Sequence, residues 1–210
     1  MAAPLHDPLP FHWYAFFGIL EPISVLAGSY YATFLPTKYY FELIPDPFLL
    51  SLKDASTPDH LEGISDNARM ALGQLGSCYF LIMLNSALMF FAIRKFIRVS
   101  DPLATERVLR YLFVVLGVAD WTHILLTLYL LPNGPPHGGL LTSHQPATVL
   151  DKLKLLLVPS NWNALLFGNI MITLILFLFR ALWWAGVARG SPITALKKAK
   201  RGVQKAAKTT

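Results

Sequence analysis

The chain has 210 residues, of which 54% are hydrophobic and only 14% charged, with a mean hydropathy of +0.48. A typical soluble domain carries about 25% charged residues, so this balance excludes an ordinary water-soluble globule and points to a membrane. The net charge of +6 lies beside apolar runs, which fits orientation in a bilayer and argues against a nucleic-acid partner.

Met1 to Pro10 is a proline-rich lead without Lys or Arg. A secretory leader opens with a basic region, and the apolar run that follows contains Glu21, so the reading is a retained helix over 12–34. Tyr14, Gly18, Glu21, Ser24, Gly28 and Tyr31 recur at three- and four-residue spacings. Such a small and polar stripe is the face expected to look into a bundle. Pro22 is expected to disturb the helix beside Glu21.

The stretch from Leu35 to Asn67 holds Pro36, Pro45, Pro47 and Pro58 with six acidic residues. It reads as a loop with one interfacial turn around Pro47 to Leu52. Ser65 or Asp66 would cap a second span over 68–97. On that span Gln74, Ser77 or Cys78, Leu81 and Asn85 share a stripe, and the single cysteine reads as a buried apolar thiol. Gln74 and Asn85 suit interhelical hydrogen bonding, worth about 1 kcal/mol each.

Arg94 to Arg110 reads as a short basic turn, and a third span follows over 109–131. It carries Asp120 and His123 near its centre. Residues three apart lie on one helix face, and an ionisable pair at that depth is a functional hypothesis by default. The NGPPHGG stretch is a loop by its glycine and proline content. Asn161 and Trp162 open a fourth span over 162–186, with Gly168 and Asn169 in one half and Arg180 near the other end, where it would snorkel beside Trp183 and Trp184. Residues 188–210 form a basic tail, read as disordered or surface-bound on the cytosolic side.

The expected fold is therefore all-α: an integral membrane four-helix bundle in residues 1–187. Lys and Arg cluster after span two and beyond span four, which places both termini in the cytosol. An endomembrane, the endoplasmic reticulum above all, is the expected location. At about 1.5 Å rise per residue, Glu21, Asn85, Asp120, His123 and Asn169 fall within roughly a turn or two of one level. A bundle would permit one midplane cavity there.

Hydrocarbon disfavours the charged form of a carboxyl, and a neutral acid beside a basic imidazole makes a general acid and base. Asp120, His123 and Glu21 are the candidate catalytic residues, with Asn85, Asn169, Trp162 and Gln74 as substrate contacts. The same polar groups would equally specify helix pairing by hydrogen bonding, and both readings stand. His6, His12, His137 and His144 are too scattered for a metal set. With no Gly-rich phosphate loop and no nucleophile elbow, no cofactor is expected.

Three stretches carry a resemblance: Glu21-Pro22 with Gly28 and Tyr31-Ala32 in span one, GVADWTH at 117–123 and WNALLFGN at 162–169. Together they resemble a family of small fungal four-helix integral membrane proteins found near natural-product pathways. The likeness runs from Phe11 to Val187. It implies epoxide opening, cyclisation or isomerisation of a hydrophobic polyketide or isoprenoid, and attaches that chemistry to Asp120, His123, Trp162 and Asn169. The partners it implies are a hydrophobic small molecule, the lipid bilayer and other pathway enzymes. A looser similarity to emopamil-binding-type isomerases carries no residue across, because the spacings differ. The competing expectation is a non-catalytic lipid-binding or membrane assembly protein.

Overall fold

The structure is a computed structural model that describes residues 7–44, 64–131, 156–158 and 161–206. The six helices named here are α1 (Phe11–Phe34), α2 (Pro36–Glu42), α3 (Asp66–Ile97), α4 (Pro102–Leu130), α5 (Ala164–Trp184) and α6 (Pro192–Ala206). No strand occurs among the described residues. Helices α1, α3, α4 and α5 are each long and apolar enough to cross a membrane. Only 17% of the most apolar window of α3 and 22% of that of α4 is buried. So large an exposed apolar surface is what lipid covers and water does not tolerate.

The helix boundaries follow local chemistry. Ser65 accepts from Ala68 N–H and starts α3, as expected of a capping hydroxyl. Asp101 accepts from Ala104 N–H at 2.8 Å, and Pro102 takes the first turn, so α4 begins at Pro102. The residues read as a basic turn, 94–110, are thus corrected: most of them are helical, and only Arg98 to Asp101 lie between the two helices. The loop after span one is corrected in the same way. Pro36, pre-set for a first turn, opens α2. The turn expected at Pro47 to Leu52 and the NGPPHGG loop lie outside the described residues.

The disturbance expected at Pro22 takes the form of a wide turn. Proline has no N–H for the Gly18 carbonyl and its ring crowds that oxygen, so residues Phe16–Leu20 form a π-turn and Glu21 N–H bonds to Phe16 O. Two more π-turns occupy Ile93–Ile97 and Gly168–Ile172. In the last of these the Thr173 hydroxyl donates to Gly168 O at 3.3 Å.

The chain divides into two compact units. The first comprises Met1–Leu26, Leu81–Val118 and Phe177–Thr210. Its core is aromatic: Trp13, Phe17, Phe90, Phe113 and Trp183 are buried with Leu9, Ile93 and Leu109. Phe17 and Phe113 lie 4.4 Å apart and Phe113 meets Trp183 edge-on at 4.8 Å, arrangements the ring quadrupoles favour. A methyl on Gly18 would lie 3.0 Å from Phe90 Cβ and 3.0 Å from the Tyr14 ring. The absent side chain lets α1 and α3 approach there.

The second unit comprises Ala27–Phe80 and Ala119–Leu176. Ala32, Tyr39, Leu72 and Leu165 make one buried cluster, and Leu131, Leu166 and Ile170 another. Ser29 donates to Gly76 O at 2.7 Å, and a methyl on Gly76 would collide with the Thr33 hydroxyl. Here too small residues bring α1 and α3 together. Asn163 caps α5 by accepting from Leu166 N–H at 2.9 Å while its amide donates to Ile44 O at 2.8 Å. The Tyr39 hydroxyl meets that of Tyr79 at 3.3 Å, and burial, then Tyr79, pushes the Tyr39 phenol above its ordinary value.

Of the expected stripe on α1, Gly18 and Glu21 are buried but Ser24 is exposed, its hydroxyl turned back to Glu21 O. Cys78, read as buried, is exposed. The tail read as disordered is helical over Pro192–Ala206. Ser191 caps that helix through Thr194 N–H.

Candidate functional site

On α4 Thr105 and Glu106 are buried in the first turns, and Leu109, Phe113, Gly117, Asp120 and Ile124 beyond them. These steps of three and four trace one face of the helix. Asp120 is 8% exposed, the sole acidic side chain on that face beyond its first turns, and His123 is half-buried at its edge. The Thr127 hydroxyl donates to His123 O at 2.8 Å, which ties the backbone of this turn. A carboxyl and an imidazole on adjacent positions of one turn, about 5–6 Å apart at Cβ, can hand protons to and take them from one small group.

The expected substrate contacts separate. Asn169 is half-buried within the π-turn of α5, and π-turns recur at functional positions. Trp162 is half-buried and its indole N–H donates to Leu156 O at 2.8 Å, so its polar edge is used in anchoring the chain. Gln74 and Asn85 are exposed on α3. The buried positions of that helix are Leu72, Gly76, Phe90 and Ile93.

Glu21 belongs with Arg180. A guanidinium nitrogen of Arg180 lies 2.6 Å from Glu21 Oε1, both side chains are almost wholly buried, and the Phe17 ring centre is 5.9 Å from the guanidinium. Arg180 does not snorkel to the membrane edge, and its reading as an interfacial residue is corrected. The spacing of 159 residues between the two gives no sequence signal. A charge left single in hydrocarbon is costly, and pairing is the usual solution. Glu21 is thus paired with Arg180, which supplies the opposite charge beside it.

A second polar centre went unread in the sequence. Glu106 is wholly buried, and its carboxylate accepts from Arg110 at 2.9 Å, Arg189 at 3.1 Å, the Ser191 hydroxyl at 2.7 Å and Ile193 N–H at 2.8 Å. The last two contacts set a carboxylate at the start of α6, where exposed N–H groups favour negative charge. The Arg189 guanidinium stacks 3.9 Å from the Trp183 ring and donates to Trp183 O. Burial pushes it below its ordinary value, and Glu106 opposes that shift. Ala188, next to it, is held at a φ of 52°, a conformation that costs about 1 kcal/mol or more and persists only when neighbours enforce it.

The chain before α1 is clamped to the same region. Arg98 pairs with Asp7 at 2.9 Å, the Trp183 indole donates to Pro8 O at 2.9 Å, and the Trp13 indole donates to Val187 O at 3.1 Å. The signal available in the sequence was Asp101-Pro102, a helix start that puts Glu106 on a helix. No group of three or more His, Cys, Asp or Glu side chains among the described residues is arranged to hold a metal ion.

No curated protein and no solved structure matches the chain. One family does match: the profile of DUF7704, a domain of unknown function, aligns with residues 6–134. That stretch holds the clamped lead, α1 with Glu21, α3, and α4 with Glu106, Asp120 and His123. As the match covers more than half of the sequence, the chain belongs to the DUF7704 family.

Proposed function

We propose that this protein is a membrane-embedded acid–base enzyme that opens an epoxide, or cyclises or isomerises a hydrophobic polyketide or isoprenoid, in fungal secondary metabolism. The observation that carries the reading is the burial of Asp120, 8% exposed in the apolar stretch of α4, with His123 three residues on. In this scheme the Asp120 acid gives its proton to the epoxide oxygen as the C–O bond breaks. Water or a substrate hydroxyl forms the new C–O bond and loses its proton to His123. Proton return from the imidazolium to the carboxylate closes the cycle. Asn169 holds the substrate. Expression with and without the gene, followed by metabolite profiling, tests the reading: an epoxide should accumulate without it, and identical profiles would overturn it.

The four long helices form a bundle in this proposal, with both termini cytosolic and the endoplasmic reticulum or another endomembrane as the location. Arg94, Lys95, Arg98, Arg107 and Arg110, with the Lys and Arg of α6, support that orientation. Protease added to intact microsomes is expected to remove a tag placed after Thr210 and to spare one placed beside His137. Protection of the C-terminal tag would reverse the topology.

A second reading, a non-catalytic lipid-binding or assembly protein, draws on the Glu21–Arg180 pair. In that pair buried charges of α1 and α5 meet each other, as a role in joining helices requires. Partner pathway enzymes fit either reading.

A further inference from the structure

A groove of about 270 Å³ lies in the first unit, lined by Arg107, Arg110, Tyr111 and Val114 of α4, Trp184 of α5 and Ile193 of α6. The four residues of α4 follow the i, i+3, i+4, i+7 pattern of one helix face. Arg110 stacks over Trp184, its guanidinium carbon 4.6 Å from the ring centre. Arg107 is exposed, and no ion-pair partner for it occurs among the described residues. We infer that this groove binds the headgroup of an anionic phospholipid. The inference rests on the helices spanning a membrane and is independent of any catalysis.

Depth supports the assignment. With 29 residues α4 is ~43 Å long, against a hydrocarbon thickness of about 30 Å. The excess of roughly nine residues, counted from the basic end at Pro102, sets Arg107 and Arg110 at headgroup level. Trp184 closes α5, and Tyr111 is 76% exposed. Aromatic rings with one polar edge favour that boundary. Val114, one turn further in, is exposed and meets the first acyl carbons, which an acidic protein partner would not supply.

Helix α6 adds the charge. Lys197, Lys198, Lys200 and Arg201 are exposed, and the helix holds no acidic residue. At 100° per residue, Pro192, Ala195, Leu196 and Ala199 gather on one side, and Lys197, Lys198 and Arg201 on the other. A basic helix with an apolar stripe lies in the membrane interface, and each cation contributes attraction to anionic lipid. Glu106, by seating Arg110 and the α6 N–H of Ile193, joins the groove to this helix.

The test is native mass spectrometry of the purified full-length protein with phosphatidylserine, phosphatidylcholine or inorganic phosphate added. Phosphatidylserine should be retained in preference to phosphatidylcholine, and inorganic phosphate in excess should not displace it. Arg107→Gln, at an exposed position, should lower phosphatidylserine occupancy roughly fivefold with an unchanged melting temperature. Equal retention of the two lipids would overturn the assignment, as would displacement by phosphate alone. So would full retention in Arg107→Gln with loss only in Lys197→Gln/Lys198→Gln, which would reveal a diffuse charge effect without a groove.

Discussion

Asp120→Asn is expected to lower turnover by about a hundredfold or more while the protein folds and accumulates normally. Asparagine keeps the size and hydrogen-bonding reach of the carboxyl but has no transferable proton. Asp120 is buried on the inward face of α4, and a neutral isostere there relieves desolvation rather than adding to it. His123→Gln should resemble it. The double variant should lose less than the product of the two single losses, because residues that act on one proton path are not additive. The measurement is product formation in membranes at matched protein level, beside a melting curve for each variant. Near-normal product from Asp120→Asn would show a structural carboxyl and leave the assembly reading in possession.

Arg180→Met is expected to cost about 3–5 kcal/mol of stability, since it strands the Glu21 carboxylate in a buried site. Glu21→Leu should be costly for the mirror reason. The pair Glu21→Leu with Arg180→Met should recover most of the loss, because two apolar side chains need neither desolvation nor a partner. Thermal unfolding in detergent for all four members of the cycle checks this. Additive losses in the double variant would mean that the 2.6 Å contact contributes no coupling. The same cycle bears on chemistry. If the double variant retains turnover at matched abundance, Glu21 holds α1 to α5 and takes no part in proton transfer.

The two predictions treat two buried carboxylates differently, and the reason lies in their neighbours. Both sit in apolar helices and both were read as acids. Glu21 has a guanidinium from another helix against one oxygen, so its charge is committed. Asp120 shares its helix face with the half-buried imidazole of His123. Spacing within one helix was legible beforehand. The arrival of Arg180 from 159 residues away was not.

The same division runs through the fold. Four apolar stretches of more than 20 residues are long and apolar enough to cross a bilayer whatever their packing, and a segment in hydrocarbon satisfies its backbone polar groups as a helix. Their existence and approximate ends were therefore set by composition and length. Pro22 and Ser65 acted through local chemistry, and each did so where it stands. Asp101-Pro102 and Pro36 carried equally local signals, so α2 and the early start of α4 were within reach of the sequence. Which side of α3 is buried was not. In water an inward face is apolar and an outward face polar; lipid leaves both faces largely apolar, and the positions of α3 that are buried, Leu72, Gly76, Phe90 and Ile93, carry no such contrast in the sequence. Helix α6 holds an amphipathic pattern of its own, yet its first turn is held by Glu106 and Ser191, one distant in sequence and one local. The sequence by itself determined the membrane class, the spans and the shared face of Asp120 and His123, since those depend on hydrophobicity and helical period alone. Tertiary structure decided the partners of Glu21, Glu106 and Arg98, because a buried charge takes whichever opposite charge packing brings within about 3 Å, and that choice is made between helices.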